Sequence, residues 1–300
     1  MTTPTQPERP ATATATALEA RARLVGALPV DEIRLEIEGI STVLLAGGDG
    51  PPIVFLHGPG GNAAHWMRVI PDLVATNRVI APDLPGQGAS ELDEAPLDGE
   101  RALAWLGALI EETCEPPPAL VGNALGGAIA ARFAARAGER VGRLVLVDAL
   151  GLADFDPAPP FGAALDEFLN APGEQTHDGL WAHCAHDLDR LRGDMGDGWD
   201  RFKAYNVDRA TTPSVAAALG ALMGEFGFPA IPAAELERIA VPTSVIWGHH
   251  DLATRLAAAE SACERYGWPL RVIEDCADDP PVEQPEAFLA ALREALGEDR

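Results

Sequence analysis

The chain has 300 residues, 47% of them hydrophobic, and a formal net charge of -24 from 22 basic and 46 acidic side chains. This length and composition indicate one large α/β domain rather than two full domains. Such an acidic chain is unsuited to nucleic acid or to an anionic membrane, because both require a basic face. The four cysteines are scattered, and we expect a soluble cytoplasmic protein.

Residues 1–30 are predicted to form a disordered tail and a lead-in to the first strand. The first twenty are rich in Thr, Ala and Pro, a composition that cannot bury enough apolar surface to fold. They lack the basic head and apolar core of a secretory signal. No apolar run in the sequence approaches the roughly 20 residues needed to cross a bilayer.

The chain then alternates between strand and helix patterns. Alternating apolar residues from Ile33 to Leu45 predict a hairpin. Short continuous apolar runs, typical of parallel strands buried on both faces, occur at 53–56, 78–83, 119–121, 143–148, 244–248 and 270–273. Apolar residues at helical spacing occur at 99–112, 125–137, 253–266 and 284–296. This order predicts a mostly parallel sheet with helices on both faces, built from residues 31–150 and 240–300.

Residues 151–239 interrupt the alternation. Their apolar positions follow helical spacing, broken by the proline-rich stretch Pro157–Pro160 and by the glycines from Gly193 to Gly198. We predict a helical insertion between two strands, in the place where a lid would cover a site at the sheet edge.

Five motifs occur in an order that resembles the α/β-hydrolase superfamily. They are His57-Gly58 with the glycines that follow, Asp83 to Ser90 (D-x-P-G-x-G-x-S), Gly122 to Gly127 (similar to G-x-S-x-G), Trp247 to Asp251, and Asp275 to Phe288. The resemblance implies the α/β-hydrolase fold, with a mostly parallel eight-stranded sheet and a helical lid. Asn123 and the Gly126-Gly127 pair are most similar to the carbon-carbon bond hydrolases and nearby esterases.

The resemblance places Ala124 at the nucleophile position, Asp251 at the acid position and Asp278 at the histidine position. A methyl group cannot form an acyl-enzyme. An ordinary aspartate, with a pKa of about 3.9, is too weak a base for a hydroxyl. If Asp251 and Asp278 lie close together, they share a proton or are separated by an arginine or water. Asp148 is a second candidate for the acid.

The loop of Gly58, Pro59 and Gly60 matches the segment that supplies oxyanion donors in the superfamily. Proline has no backbone N–H, so the donors left are those of Leu125 and Gly60. The residue matching His57 usually ties this loop in the superfamily. Next to the loop, His65 and Trp66, like Asn123, are predicted to line the pocket, with burial in the core beneath the loop as the alternative for His65 and Trp66.

Other histidines are candidate metal ligands or substitute bases. His183 and His186, near His177, Cys184 and Asp187, could face one way and bind a metal, although polar side chains exposed to solvent are the simpler interpretation. His249 and His250 flank Asp251 but are expected to point elsewhere. We therefore predict no metal and no cofactor.

Three functions remain open, and each uses a small hydrophobic or aromatic ligand. The first, which we favour because two triad roles are lost, is a non-hydrolytic binding protein. The second is a lyase or isomerase with an Asp251/Asp278 proton relay. The third is a divergent ester or carbon-carbon bond hydrolase, in which the water is activated by another group or the serine has been engineered to Ala124.

Overall fold

A nine-stranded sheet forms the centre of the computed structural model, which describes residues 15–298. Its strands are β1 (Asp31–Ile37), β2 (Ile40–Gly47), β3 (Pro52–Leu56), β4 (Arg78–Pro82), β5 (Glu91–Leu92), β6 (Ala119–Asn123), β7 (Arg143–Val147), β8 (Thr243–Gly248) and β9 (Leu270–Ile273). The order is β1-β2-β4-β3-β6-β7-β8-β9, and β5 pairs with β2. The pairs from β4 to β9 are parallel, whereas β2 is antiparallel to its neighbours. The predicted parallel sheet is confirmed, with one short strand added.

The helices are α1 (Ala15–Val25), α2 (Ile70–Leu73), α3 (Gly99–Thr113), α4 (Leu125–Arg136), α5 (Pro159–Asn170), α6 (Glu174–Cys184), α7 (Leu188–Met195), α8 (Asp197–Ala210), α9 (Pro213–Leu222), α10 (Ala233–Leu236), α11 (Leu256–Tyr266), α12 (Pro280–Glu283) and α13 (Pro285–Leu296). Four helices were predicted with bounds, namely α3, α4, α11 and α13, and each of their ends lies within three residues of the prediction. Within residues 15–298, no helix has the length and apolarity that a membrane crossing requires.

The strands are apolar on both faces because helices cover both sides of the sheet. Val54 and Leu56 of β3 belong to the core layer under α3, α4 and α11. Ile53 and Phe55 alternate with them and pack in the opposite layer, which includes Phe288 of α13. This two-sided burial explains why the parallel strands are continuous apolar runs in the sequence.

Between β7 and β8 the chain forms helices α5 to α10 and no strand. We call residues 159–236 the helical segment. Part of it has an apolar cluster of its own, formed by Phe161, Trp181, Trp199 and Phe202. The helical character predicted for 151–239 is therefore found. The predicted proline-rich loop is shorter than expected, because Pro159 and Pro160 begin α5. Proline is tolerated there because the first turn of a helix has no intrahelical partner for its N–H.

Part of the predicted N-terminal tail and lead-in is a helix, so that prediction was wrong for residues 15–25. Helix α1 is fixed by Arg21, which is 3% exposed. Its guanidinium pairs with Glu32 at 2.9 Å and with buried Asp83 at 3.0 Å. Leu24 packs in the apolar cluster of the helical segment. Residues 1–14, also predicted as tail, lie outside the described residues.

Candidate active site

A sharp turn joins β6 to α4 and places Ala124 at its apex. Ala124 has φ 43° and ψ -109°, a conformation that costs a residue with a side chain about 1–3 kcal/mol. Backbone bonds hold the turn. The N–H of Ala124 donates to Val147 O at 2.9 Å, and its carbonyl accepts the N–H of Leu150 at 3.0 Å. The end of β7 and the loop that follows it are thereby tied to the turn.

Three glycines around the turn have no room for a side chain. A Cβ on Gly122 would lie 2.3 Å from Gly126 O, and one on Gly126 would lie 2.2 Å from Leu56 O. A Cβ on Gly127 would lie 2.5 Å from the methyl of Ala149. Helix α4 therefore packs backbone to backbone against β3 and β6. The glycine pattern in the sequence reflects this close approach.

The loop after β3 is tied down by His57, which is fully buried. The N–H of Leu84 donates to Nε2 of His57 at 2.9 Å, so this nitrogen carries no hydrogen. Nδ1 must then carry it, and it donates to Gly58 O at 2.8 Å. Burial lowers the pKa of His57, which keeps the ring neutral. His57 thus holds the loop, as the resemblance implied.

A cavity of about 430 Å³ lies between this loop, the turn at Ala124 and the helical segment. Its walls are mainly apolar, and many come from the helical segment. Seven of the predicted site residues line it, namely Gly58, Pro59, Gly60, His65, Asn123, Ala124 and Asp278. Its size is that of an ordinary small-molecule site.

Three predicted site residues do not line the cavity. Trp66 is 1% exposed and packs against Phe55 with ring centres 4.6 Å apart, so its predicted place in the pocket was wrong and the alternative, burial beneath the loop, is found. The side chain of Leu125, the first residue of α4, is buried in the core, while the prediction that its backbone N–H is an oxyanion donor stays a prediction. Asp251 also lies behind the cavity wall.

The carboxyl group of Asp251 is occupied by the loop that follows it. Its Oδ1 accepts the N–H of Ala253 at 2.7 Å and that of Thr254 at 2.9 Å. Its Oδ2 accepts the hydroxyl of Thr254. Burial raises the pKa of Asp251, and these hydrogen bonds oppose the rise. The carboxyl group of Asp251 therefore holds the loop after β8 in place through these hydrogen bonds.

Asp278 faces the cavity from the loop after β9. Its N–H donates to Cys184 O at 3.3 Å, and its carbonyl accepts Nδ2 of Asn123 at 3.3 Å. The side-chain Oδ1 is buried without a hydrogen-bond partner. Burial, followed by the charges of Asp251 and Asp279, raises the pKa of Asp278 well above its ordinary value. The protonated carboxyl is a hydrogen-bond donor.

Asp148, the second candidate for the acid, lies next to the turn and also lines the cavity. It follows β7, has φ 43° and is 0% exposed. Its Oδ1 accepts the N–H of Gly248 at 2.8 Å, while Oδ2 has no partner. Burial and then the charge of Asp251 raise its pKa well above the ordinary value.

Two further buried carboxyl groups were missed from the sequence. Asp279 is 8% exposed and lines the cavity, and burial raises its pKa well above the ordinary value. Glu283 accepts the N–H of Ala277 at 2.8 Å and that of His186 at 2.6 Å. Their positions were the available signals, since Asp279 directly follows Asp278 and Glu283 begins the E-x-P-x-x-F motif.

The five carboxyl groups of Asp148, Asp251, Asp278, Asp279 and Glu283 form an acidic cluster at the carboxyl edge of the sheet. Within residues 15–298, none of them forms an ion pair. Arg209 also lines the cavity, but it pairs with Asp208 at 2.6 Å. The acidic cluster can therefore hold protons or bind a hydrogen-bonding or cationic group.

The other histidines do not form the His183/His186 pair that was considered, and not favoured, as metal ligands. The ring of His186 stacks on that of His250 at 4.3 Å, and its Nε2 lies 3.8 Å from Asp275. His249 points to Glu274, 2.5 Å away, and is exposed. His183 is not part of this group.

A model of the alpha/beta hydrolase family matches residues 53–291, and the chain therefore belongs to that family. It is similar to 2-hydroxymuconate semialdehyde hydrolase of Pseudomonas sp. strain CF600, with 41% identity over 126 residues, 38% of this chain and 42% of that protein. The chain thus spans less than half the length of this relative.

Longer matches have lower identity. Pimeloyl-(acyl-carrier protein) methyl ester esterase of Aeromonas hydrophila subsp. hydrophila is 29% identical over 266 residues, 83% of this chain and 97% of that one. Among solved structures, 2-hydroxy-6-oxo-6-phenylhexa-2,4-dienoate hydrolase from Rhodococcus sp. strain RHA1 has a TM-score of 0.75 and 26% identity, covering 89% of this chain and 99% of that one.

The close packing of α4 predicts that Gly126→Ala lowers the free energy of unfolding by about 3 kcal/mol or more, because the new Cβ meets the backbone of β3. Gly179→Ala is the matched control. Gly179 lies in the exposed part of α6 with nothing within 4 Å of an added Cβ, and alanine there should stabilise by about 0.5–1 kcal/mol. Urea unfolding measures both, and equal effects of the two changes would contradict the packing argument.

The raised pKa of Asp278 predicts a pH-dependent loss of stability. The unfolded chain releases this proton near the ordinary pKa of about 3.9, whereas the folded chain keeps it to higher pH. Stability therefore falls as the pH rises through the folded-state pKa. The asparagine of Asp278→Asn cannot ionise. At about pH 8 the free energy of unfolding of this variant should therefore equal or exceed that of the wild type, by about 1.4 kcal/mol for each unit between the folded-state and unfolded-state pKa of Asp278.

The measurement is urea unfolding of wild type and Asp278→Asn at about pH 5 and about pH 8. The control is Asp189→Asn, whose side chain is 99% exposed and should matter little at either pH. A clear loss of stability in Asp278→Asn at the higher pH would show that the charged carboxylate is the stabilising form.

Proposed function

We propose that this α/β-hydrolase family member binds a small molecule and does not perform acyl transfer. The observation that carries the proposal is Ala124, a methyl group at the apex of an intact strained turn that faces the cavity. In this position a hydroxyl would attack a carbonyl, and a methyl cannot. Asp278, at the position matched to the histidine, cannot serve as an ordinary base while it holds its proton.

Neighbouring groups do not replace the missing nucleophile. Cys184 lines the cavity, but burial and the nearby Asp278 raise the pKa of its thiol well above the ordinary value. A thiol that keeps its proton is a poor nucleophile. His65 also lines the cavity, and burial lowers its pKa to about 3. It is therefore neutral and accepts a hydrogen bond from the N–H of Asn62 at 3.3 Å.

The ligand that fits is mainly apolar and has one neutral or cationic polar end. The apolar part would lie against Phe161, Trp181 and Leu219, and the polar end against Asp148 and Asp278. These carboxyl groups have unpaired oxygens and no cationic partner, so they disfavour an anionic end. The names of similar proteins include a 2-hydroxymuconate semialdehyde hydrolase and a phenyl-substituted dienoate hydrolase, and their conjugated and aromatic skeletons support an unsaturated or aromatic ligand. Both names denote carboxylates, so only the carbon skeleton is taken from them, and the neutral or cationic end is argued from Asp148 and Asp278 alone.

A proton-transfer enzyme, of the lyase or isomerase class, is the second candidate. The charge of Asp251 raises the pKa of Asp148, and Asp148 and Asp278 both line the cavity. Carboxyl groups with pKa values raised by burial can give and take protons near neutral pH. The proposed Asp251/Asp278 relay would then reach the ligand through Asp278, since Asp251 does not line the cavity.

A divergent ester or carbon-carbon bond hydrolase is the third candidate, supported by the hydrolase names of the relatives. Its water would need activation by a carboxylate that is ionised at neutral pH. The raised pKa values of Asp148 and Asp278 make both groups poor candidates for this role without a cation nearby. The hydrolase function is therefore less well supported than non-hydrolytic ligand binding.

Binding predicts thermal stabilisation without turnover. We expect a phenyl-substituted alcohol and the matching amine to raise the melting temperature, and the carboxylate with the same carbon skeleton to have little effect. A ligand at about 100-fold above its Kd adds about 2.7 kcal/mol to the free energy of unfolding. Ala124→Leu, which places a larger side chain in the cavity, should reduce the shift. Turnover of an activated ester by the wild type would refute the binding proposal.

Restoring both missing groups predicts a return of hydrolysis. Ala124→Ser with Asp278→His should cleave a small activated ester, because the turn and the loop are already formed. Either change alone should be inactive, since triad residues act as a unit. Circular dichroism checks that the variants fold. An inactive but folded double variant would show that the oxyanion donors are also missing, as expected if Pro59 replaces a required N–H.

A further inference from the structure

Three side chains with metal-ligating atoms meet at the surface, outside the cavity. They are His186 in the loop between α6 and α7, His250 after β8 and Asp275 after β9. One ligand atom from each lies within 4.8 Å of the others. The three loops are far apart in the sequence, so the fold itself brings these groups together.

The backbone around the three groups is well tied. The N–H of His186 donates to Glu283 at 2.6 Å, and the N–H of His250 donates to Cys276 O at 2.8 Å. The carbonyl of Asp275 accepts Nε2 of Gln284 at 2.8 Å. The side chains are exposed, and the ring of His250 lies between those of His186, at 4.3 Å, and His249, at 4.8 Å. The loops that carry the three side chains are held in position by these backbone contacts.

The geometry suits a small divalent transition-metal ion. Ligands about 2.1 Å from a tetrahedral ion lie roughly 3.4 Å apart, so a modest rotation of exposed side chains closes the site. Two imidazoles and one carboxylate are a common donor set for Zn²⁺. Mg²⁺ and Ca²⁺ prefer oxygen ligands and suit this set poorly. The net charge of -24 also favours the approach of a cation.

We propose that His186, His250 and Asp275 bind a divalent transition-metal ion of the Zn²⁺ type, which ties the helical segment to the edge of the sheet. His186 belongs to the helical segment, whereas His250 and Asp275 belong to loops of the sheet. Cys184, two residues before His186, lines the cavity and its carbonyl accepts the N–H of Asp278. The ion would therefore fix one side of the cavity wall.

The experiment is isothermal titration of the chelator-treated full chain with Zn²⁺. We expect one ion per chain, and His186→Ala and His250→Ala should each lower the affinity about tenfold or more. His183→Ala is the matched control, a histidine three residues away that is not part of the group, and it should bind as the wild type does. Zn²⁺ should also slow hydrogen exchange around residue 186, and Mg²⁺ should not.

Several results would overturn the proposal. One is a wild type that does not bind Zn²⁺. Another is equal affinity in the wild type and the His186→Ala/His250→Ala double variant, which would locate the ion at other ligands. An equal loss in His183→Ala would point to a general effect of removing surface imidazoles. If Zn²⁺ binds without slowing hydrogen exchange near residue 186, the ion does not tie the helical segment to the sheet.

Discussion

The close contact between α4 and the centre of the sheet is the constraint on which the site depends. This contact is possible because Gly122, Gly126 and Gly127 lack a Cβ, for which there would be no space. The contact forces the chain through the strained turn at Ala124 and aligns the start of α4 with the loop after β3. The shape of the site is therefore maintained by packing, and it does not require a reactive side chain at the apex.

Buried carboxyl groups organise the loops at the same edge. Asp148 binds the N–H of Gly248, Asp251 binds those of Ala253 and Thr254, and Glu283 binds those of Ala277 and His186. Backbone N–H groups in these loops would otherwise be buried without partners. The acidic cluster thus has a structural role. Asp148 and Asp278 each also have one buried oxygen without a hydrogen-bond partner.

Much of the fold could be predicted from the sequence because its signals are local. Buried parallel strands are short apolar runs, and the turn at Ala124 carries its glycines in adjacent positions. Helix α1 was missed because its stability comes from distant partners, such as Asp83 for Arg21. Trp66 was misplaced because it ends a one-turn helix, Ala63–Trp66, in which its side chain is buried against Phe55. The contact of His186 with His250 joins distant segments, and no local pattern encodes it.

In the binding proposal, Asp278 connects the absence of a triad histidine with the proposed ligand preference. In the superfamily pattern an imidazole at this position can become a cation beside the acid, and the two charges balance. Here a carboxyl group stands there instead, among four other buried carboxyl groups without an ion pair. Each of these groups must then be neutralised by a proton or by a partner that brings hydrogen bonds or positive charge. Under the binding proposal, the same carboxyl group that takes the place of the base would also make the cavity unsuited to anions.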